Sequence, residues 1–246
     1  MAVLVGAARI DENGNISGGK AGDQTGKEVC THYWSLNKKG YRTFRLKNKK
    51  LAEKYATAIE ALCKNDVVGY CQAHNTSLWK ALEEVDWDYT KLKKKCETDC
   101  AQLVRAALRC CGIKTDYFTT ANEPTELLNT GLFDELKGNE YNKIPDYLER
   151  GDIQVTKTKG HTISILRNMY SGEIPTITLK KGSKGAQVKL LQKFLNYYNI
   201  NNKLSIDGSF GVKTLNAVLD FQTNNRLAAD GSFGPASREK ARNFRR

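Results

Sequence analysis

The sequence predicts an α+β domain followed by a small all-α domain of three short helices. Three observations carry this reading. The stretch Tyr170-Ser-Gly-Glu-Ile-Pro175 interrupts the hydrophobic patterning with Gly and Pro, as a linker does. Beyond it, Ile206-Asp-Gly-Ser-Phe-Gly211 recurs as Ala229-Asp-Gly-Ser-Phe-Gly234, so one Gly-rich turn is used twice. Before it, helical periodicity beginning at Cys100 coexists with a period-two strand after His161. The expected boundaries are 1–170 for the first domain, 171–177 for the linker and 178–246 for the second domain.

Composition agrees with two globular domains. The chain has 246 residues, of which 40% are hydrophobic and 27% charged, which excludes disorder as the main state. It also exceeds the roughly 100–200 residues of one typical domain. No apolar run approaches the roughly 18–20 residues a membrane helix needs. Seven cysteines, an odd count, argue for reduced thiols. The apolar run Ala2–Ala8 is too short for a secretory signal and reads as a strand, so a chain made in a cytoplasm without a signal peptide is expected. Three histidines exclude a His-rich metal centre. Paired Cys-x-x-Cys spacings are absent, so neither a structural zinc nor any cofactor is expected.

The first domain divides into few strongly patterned pieces. Lys49–Leu62 is an amphipathic helix. Lys91-Leu-Lys-Lys-Lys-Cys96 is a basic run, read as a solvated surface. From Cys100, the residues Leu103, Val104, Ala107, Leu108 and Cys111 fall on one helical face. Thr98 or Asp99 is available as N-cap, and Gly112 ends the helix. Cys100 therefore sits in a first turn, where the helix dipole stabilises a thiolate and free N–H groups can hold an oxyanion. Leu148–Val155 is a turn entering a strand, and His161-Thr-Ile-Ser-Ile-Leu166 alternates with His161, Ile163 and Ile165 on the core-facing side. A histidine at the mouth of a strand, opposite a helix start, can serve as the base of a Cys–His pair. His32 and His74 are the competitors, and neither opens such a strand.

Asp99-Cys-Ala-Gln-Leu-Val104, Gly151-Asp-Ile153 and Gly160-His-Thr-Ile-Ser-Ile165 together resemble the NlpC-type family of papain-like cysteine peptidases, over essentially residues 1–170. The run Lys20–Glu28 is similar to that of a clostridial and phage subgroup. The resemblance implies a papain-like fold, Cys100 as nucleophile, His161 as base and a polar third residue that orients the imidazole. Asn168 is chosen for that place, with Glu173 as the other choice. Asp23 and Gln24, in the loop Gly22–Gly26, are candidate contacts to the substrate peptide. Two features depart from the family pattern: Ala101 replaces the usual Ser, and no second His follows at the usual distance. Val29-Cys-Thr-His-Tyr-Trp34 offers a rival nucleophile, Cys30, through a resemblance to the CHAP amidases and endopeptidases. Lys38, Lys39 and Gly40 break any helix after it, so Cys100 is preferred.

In the second domain, Val188, Leu191, Leu195 and Tyr198 mark a helix, as do Leu215, Val218, Leu219 and Gln222, and Pro235 opens a third. Asp207 and Asp230 are expected to cap helices or tie turns, and Phe210 and Phe233 to fill the core. Residues 178–243 resemble the peptidoglycan-binding domain of bacterial and phage wall hydrolases. Residues 176–246 hold 13 Lys or Arg against 4 Asp or Glu, so most of the formal charge of +12 lies there. A polyanionic partner follows.

The whole is expected to be an endolysin-type peptidoglycan hydrolase. Its partners would be peptidoglycan and anionic wall polymers rather than nucleic acid or membrane, and its state a monomer. The resemblance implies stem-peptide cleavage between D-glutamate and the diamino acid. The alternatives are an N-acetylmuramoyl-L-alanine amidase or a catalytically inactive wall-binding protein.

Overall fold

A computed structural model describes residues 2–36, 39–142, 147–167, 172–199, 202 and 204–244. The chain divides into two compact units, residues 1–168 and 169–246.

In the first unit, strands β1 (Ala2–Ala8), β2 (Val29–Ser35) and β3 (Tyr41–Leu46) precede helix α1 (Lys49–Cys63). Then come β4 (Val68–Tyr70), α2 (Ser77–Glu83), β5 (Cys96–Thr98) and α3 (Cys100–Cys110). The unit ends with α4 (Glu123–Asn129), β6 (Phe133–Leu136), α5 (Asn139–Asn142), β7 (Ile153–Thr156) and β8 (Thr162–Arg167). Six strands form an antiparallel sheet in the order β2-β1-β8-β7-β3-β6, and β4 pairs in parallel with β5. Ala2–Ala8 is thus a strand with a partner on each side, as its apolar run implied.

Helices α1 and α3 pack on one face of this sheet. Tyr55, Ile59 and Leu62 of α1 and Leu103, Val104 and Leu108 of α3 meet Phe44, Leu46, Val155 and Leu166 in one buried cluster. Each such side chain contributes about 1.5–3 kcal/mol by leaving water. On the opposite face Val3, Val5, Ala7, Tyr41, Leu148, Ile163 and Ile165 form a separate cluster, with Trp34 against it. The Gly-Asp-Ile motif has a structural explanation. Gly151 has φ +91°, and a Cβ there would stand 2.7 Å from the Ala52 carbonyl of α1. Asp152 takes a two-pronged ion pair from Arg45 of β3, both contacts at 2.7 Å, and accepts the Glu149 N–H at 2.7 Å. The turn before β7 is thereby tied to both the helix and the neighbouring strand.

The second unit contains α6 (Ala186–Tyr198), α7 (Val212–Asn224) and α8 (Pro235–Arg242). Val188, Leu191, Phe194, Leu195, Val218, Phe221, Phe210 and Phe233 fill its core. The two repeats are built identically around a buried glutamine. Gln192 donates to Asp207 at 2.8 Å and to the Ser209 carbonyl at 3.1 Å, and accepts the Gly208 N–H at 2.9 Å. Gln222 donates to Asp230 at 2.8 Å and to the Ser232 carbonyl at 2.9 Å, and accepts the Gly231 N–H at 3.0 Å. Asp207 and Asp230 tie turns, as the sequence implied; the glutamines that hold them were not foreseen.

Candidate active site

Cys100 is the first residue of α3. The helix starts there because Asp99 is extended and its carboxylate accepts the Gln102 N–H at 2.8 Å, an N-cap bond worth about 1 kcal/mol. The carboxylate is held from outside by Asn75, which donates at 2.5 Å. Cys100 is only 8% exposed, and it lines a cavity of about 240 Å³ together with Gln72, Asn75, Asp99, Ala101, Thr119, Thr120 and Gly160. Gln102 secures the rim by donating to the Phe118 carbonyl, and Thr120 donates to the Lys159 carbonyl beside Gly160. Burial pushes the Cys100 thiol up to about 12, with the Asp99 charge adding to this, while the Thr162 and Ala101 N–H groups work the other way. The resting group is a thiol and needs a base. A larger cavity, about 540 Å³, lies elsewhere between Trp79, Trp87, Arg109 and Glu126, with no thiol in its lining.

The residues behind the sulfur are Thr162 and Glu123. The Thr162 N–H lies near Cys100 and lowers its thiol against the effect of burial. The Thr162 hydroxyl donates to Glu123 Oε1 at 2.9 Å. Glu123 opens α4 and is fully buried, and its Oε2 has no hydrogen-bond partner. Burial raises its carboxyl to about 8, against the opposing Thr162 bond.

His161 is not in this group. Along β8 the side chains alternate: Ser164 bonds the Tyr55 hydroxyl of α1 at 2.6 Å and Leu166 joins the helix-side core, whereas Ile163 and Ile165 join the opposite cluster. Thr162 therefore shares the helix face, and His161 points the other way. Its ring lies 5.5 Å from that of Trp34, which is 5.3 Å from that of His32. Burial lowers the His161 imidazole to about 4, and His32 and Arg9 lower it further.

Residues 5–171 match the endolysin-like domain family, and residues 184–240 match the putative peptidoglycan binding domain. The chain belongs to the endolysin-like domain family. Its architecture is of the endolysin type, a first domain joined to a wall-binding one, and it acts in association with the cell wall. Among solved structures the chain is similar to a peptidoglycan-binding protein from Clostridioides difficile in complex with glutamine hydroxamate. Identity is 30%, over 44% of this chain and 68% of that one, with a TM-score of 0.26. No curated protein matches it.

Within this endolysin-like domain the expected site residues separate. Cys100 stands at a helix start in a polar cavity, as its motif implied. The expected Cys100–His161 pair is not formed, because β8 presents Thr162, not His161, to α3. Asn168 lies outside the described residues. Glu173 is exposed and falls in the second unit. Asp23 and Gln24 are committed to their own loop and are absent from the cavity lining. Asp23 accepts the N–H groups of Thr25, Gly26 and Glu28, at 2.9, 2.7 and 3.1 Å, which closes the turn. Gln24 donates to the Gly22 carbonyl at 2.8 Å, and its N–H goes to Glu28 at 2.7 Å. Cys30 lies within strand β2, 3.7 Å from His32 Nδ1, and has no helix start to activate it. Gln72, Asn75, Thr119, Thr120 and Glu123 were missed. None had a local cue: Asn75 stands 24 residues before the Asp99 it supports, Gln72, Thr119 and Thr120 come from segments without a pattern, and Glu123 opens α4.

Proposed function

We propose that the endolysin-like domain hydrolyses an amide bond of the peptidoglycan stem peptide, with Cys100 as nucleophile and Glu123 as proton acceptor. The second domain holds the enzyme on the wall, where its basic residues favour anionic polymers. The observation that carries this reading is Cys100 at the N-terminus of α3, lining a polar cavity beside Thr162, whose hydroxyl binds Glu123.

Glu123, raised to about 8, holds a proton in most molecules at neutral pH, so the reacting fraction is the one that has released it to solvent; there the Cys100 proton passes to the carboxylate as the sulfur attacks the peptide carbonyl carbon. The carbonyl π pair moves onto oxygen, where the Cys100 N–H and the helix dipole stabilise it. Collapse of this intermediate breaks the C–N bond, and the proton held by Glu123 goes to the leaving amine. Water then releases the acyl group from sulfur. With the thiol at about 12 and the carboxyl at about 8, the first transfer is uphill in the resting site. That transfer costs roughly 5 kcal/mol, and ionising the carboxyl at neutral pH roughly 1 kcal/mol more. That fits within the roughly 16 kcal/mol barrier of an enzyme turning over about ten times a second. The bond between D-glutamate and the diamino acid is the proposed target, in keeping with the NlpC-type motifs. An N-acetylmuramoyl-L-alanine amidase would use the same residues.

The Cys100→Ala variant should no longer clear purified walls but should still sediment with them. Clearing at the wild-type rate, or its loss only on replacing Cys30, overturns the assignment. Mass spectrometry of the released muropeptides identifies the bond. A second reading, a wall-binding protein without hydrolytic activity, is favoured by one observation: the imidazole lies on the far side of the sheet from Cys100. It predicts that the wild-type chain releases no soluble fragments at all.

A further inference from the structure

We infer that Cys71, His74 and Glu97 bind a divalent transition-metal cation of the zinc type, at a site separate from the Cys100 thiol. Cys71 follows β4 and its N–H is bonded to the Thr98 carbonyl at 3.0 Å, so it lies beside β5, which carries Glu97. His74 comes from the turn after Cys71. One atom from each of the three residues falls within 4.8 Å of the other two. Cys71 Sγ is 3.5 Å from His74 Nδ1, and Glu97 Oε2 is 3.2 Å from the same nitrogen. For a tetrahedral zinc with Zn–S near 2.3 Å and Zn–N and Zn–O near 2.0–2.1 Å, the sulfur–nitrogen edge is about 3.5 Å and the nitrogen–oxygen edge about 3.3 Å. Two of the three edges between the donor atoms already match those of a zinc tetrahedron, and all three atoms lie within 4.8 Å of one another.

The same arrangement is poorly explained without a cation. A single ring nitrogen has one lone pair or one proton, and here it faces both a sulfur and a carboxylate oxygen. Glu97 is 6% exposed, and its other oxygen, Oε1, is buried with no partner. A carboxylate in that position requires compensation. Thiolate, imidazole and carboxylate together select zinc over calcium or magnesium, which take oxygen alone. His74 is the exposed member, with 66% of its side chain accessible, so solvent can reach the remaining coordination position. A Cys-x-x-His pair completed by a glutamate from a neighbouring parallel strand has no sequence signature. The expectation of no metal rested on Cys-x-x-Cys spacings, which a site of this kind does not use.

The bound cation would clamp the turn bearing Gln72 and Asn75 onto β5, and so fix one wall of the Cys100 cavity. The inference holds whether or not Cys100 is a nucleophile. It is tested on the full chain, stripped with chelator and titrated with zinc chloride, then with cobalt(II) chloride. One zinc per chain should bind, and cobalt should give thiolate charge-transfer absorption with the visible bands of a four-coordinate ion. His74→Ala, a change at an exposed side chain that leaves the fold intact, should weaken zinc by about 100-fold or more. Cys71→Ser should abolish the charge-transfer band while circular dichroism stays unchanged. No saturable uptake, uptake unaltered by His74→Ala, or a charge-transfer band that survives Cys71→Ser would each overturn the site.

Discussion

The two faces of β8 place neighbouring residues in opposite chemical roles. On the helix face, Thr162 neighbours Cys100 and bonds the Glu123 carboxyl, which burial raises to about 8. On the other face, one residue earlier, His161 packs against Trp34 and is lowered to about 4. Both are ionisable groups driven to neutrality by burial, one by keeping a proton and the other by losing it. Only the first shares a neighbour, Thr162, with the thiol. An imidazole earns a catalytic role by its side of the sheet, not by its motif.

The comparison is broken most decisively by activity. Glu123→Gln should lower wall clearing by at least about 100-fold, the usual contribution of a positioned acid–base group. His161→Ala should stay within about 3-fold of wild type, since it removes no group in contact with the cavity. Turbidity assays on purified walls read both, with circular dichroism confirming that each variant is folded. If His161→Ala is inert while folded and Glu123→Gln is active, the roles of the two faces are reversed.

Stability against pH separates the faces next. Glu123 titrates near 4.5 unfolded and about 8 folded, so between these values the folded state binds the extra proton and stability falls as pH rises. His161 titrates near 6.5 unfolded and about 4 folded, so between these values the unfolded state binds the extra proton and stability rises with pH. Each slope is at most about 1.4 kcal/mol per pH unit. From about 4.5 to 6.5 the two oppose one another, and from 6.5 to 8 only the Glu123 decline remains. Relative to wild type, Glu123→Gln should lose the decline above pH 6.5. His161→Ala should instead lose the opposing rise below it. Urea titrations at half-unit pH intervals supply the curves; parallel curves for all three proteins contradict the burial of both groups.

The same contrast shows what a sequence can convey. The second domain was legible because its determinants are local and repeated: Asp207 and Asp230 tie their turns, and Phe210 and Phe233 fill the core, at corresponding positions. The start of α3 was legible too, since an N-cap and a helical apolar face lie within one short window. The strand after His161 was also recognisable, and Ile163 and Ile165 do share its side. Alternation states which residues share a face, however, and not which face the helices cover. That choice is made by pairing: Gly6 opposite Ser164, and Tyr55 reaching Ser164 from α1. Glu123 was invisible for a related reason. Nothing near it in sequence announces that α4 will bury its first residue against β8.

The faces also differ in how they respond to small changes. Ser164→Ala leaves the fully buried Tyr55 hydroxyl without its partner at 2.6 Å, which should cost about 1–3 kcal/mol. Chemical denaturation should show it as a lower midpoint at constant slope.

The smallest effect belongs to the opposite face. Ile163 is fully buried, but its neighbours Val3, Val5, Ala7 and Ile165 are purely apolar, so Ile163→Val removes one methylene and strands no polar group. The expected loss is about 0.5–1.5 kcal/mol. Wall clearing should be unchanged, because the substitution keeps the β-branched strand preference and does not alter the pairing that points Thr162 at Cys100. A large fall in activity from so mild a change, with stability nearly intact, would mean that the far face reaches the chemistry after all. It would then reopen His161 as the partner of the thiol.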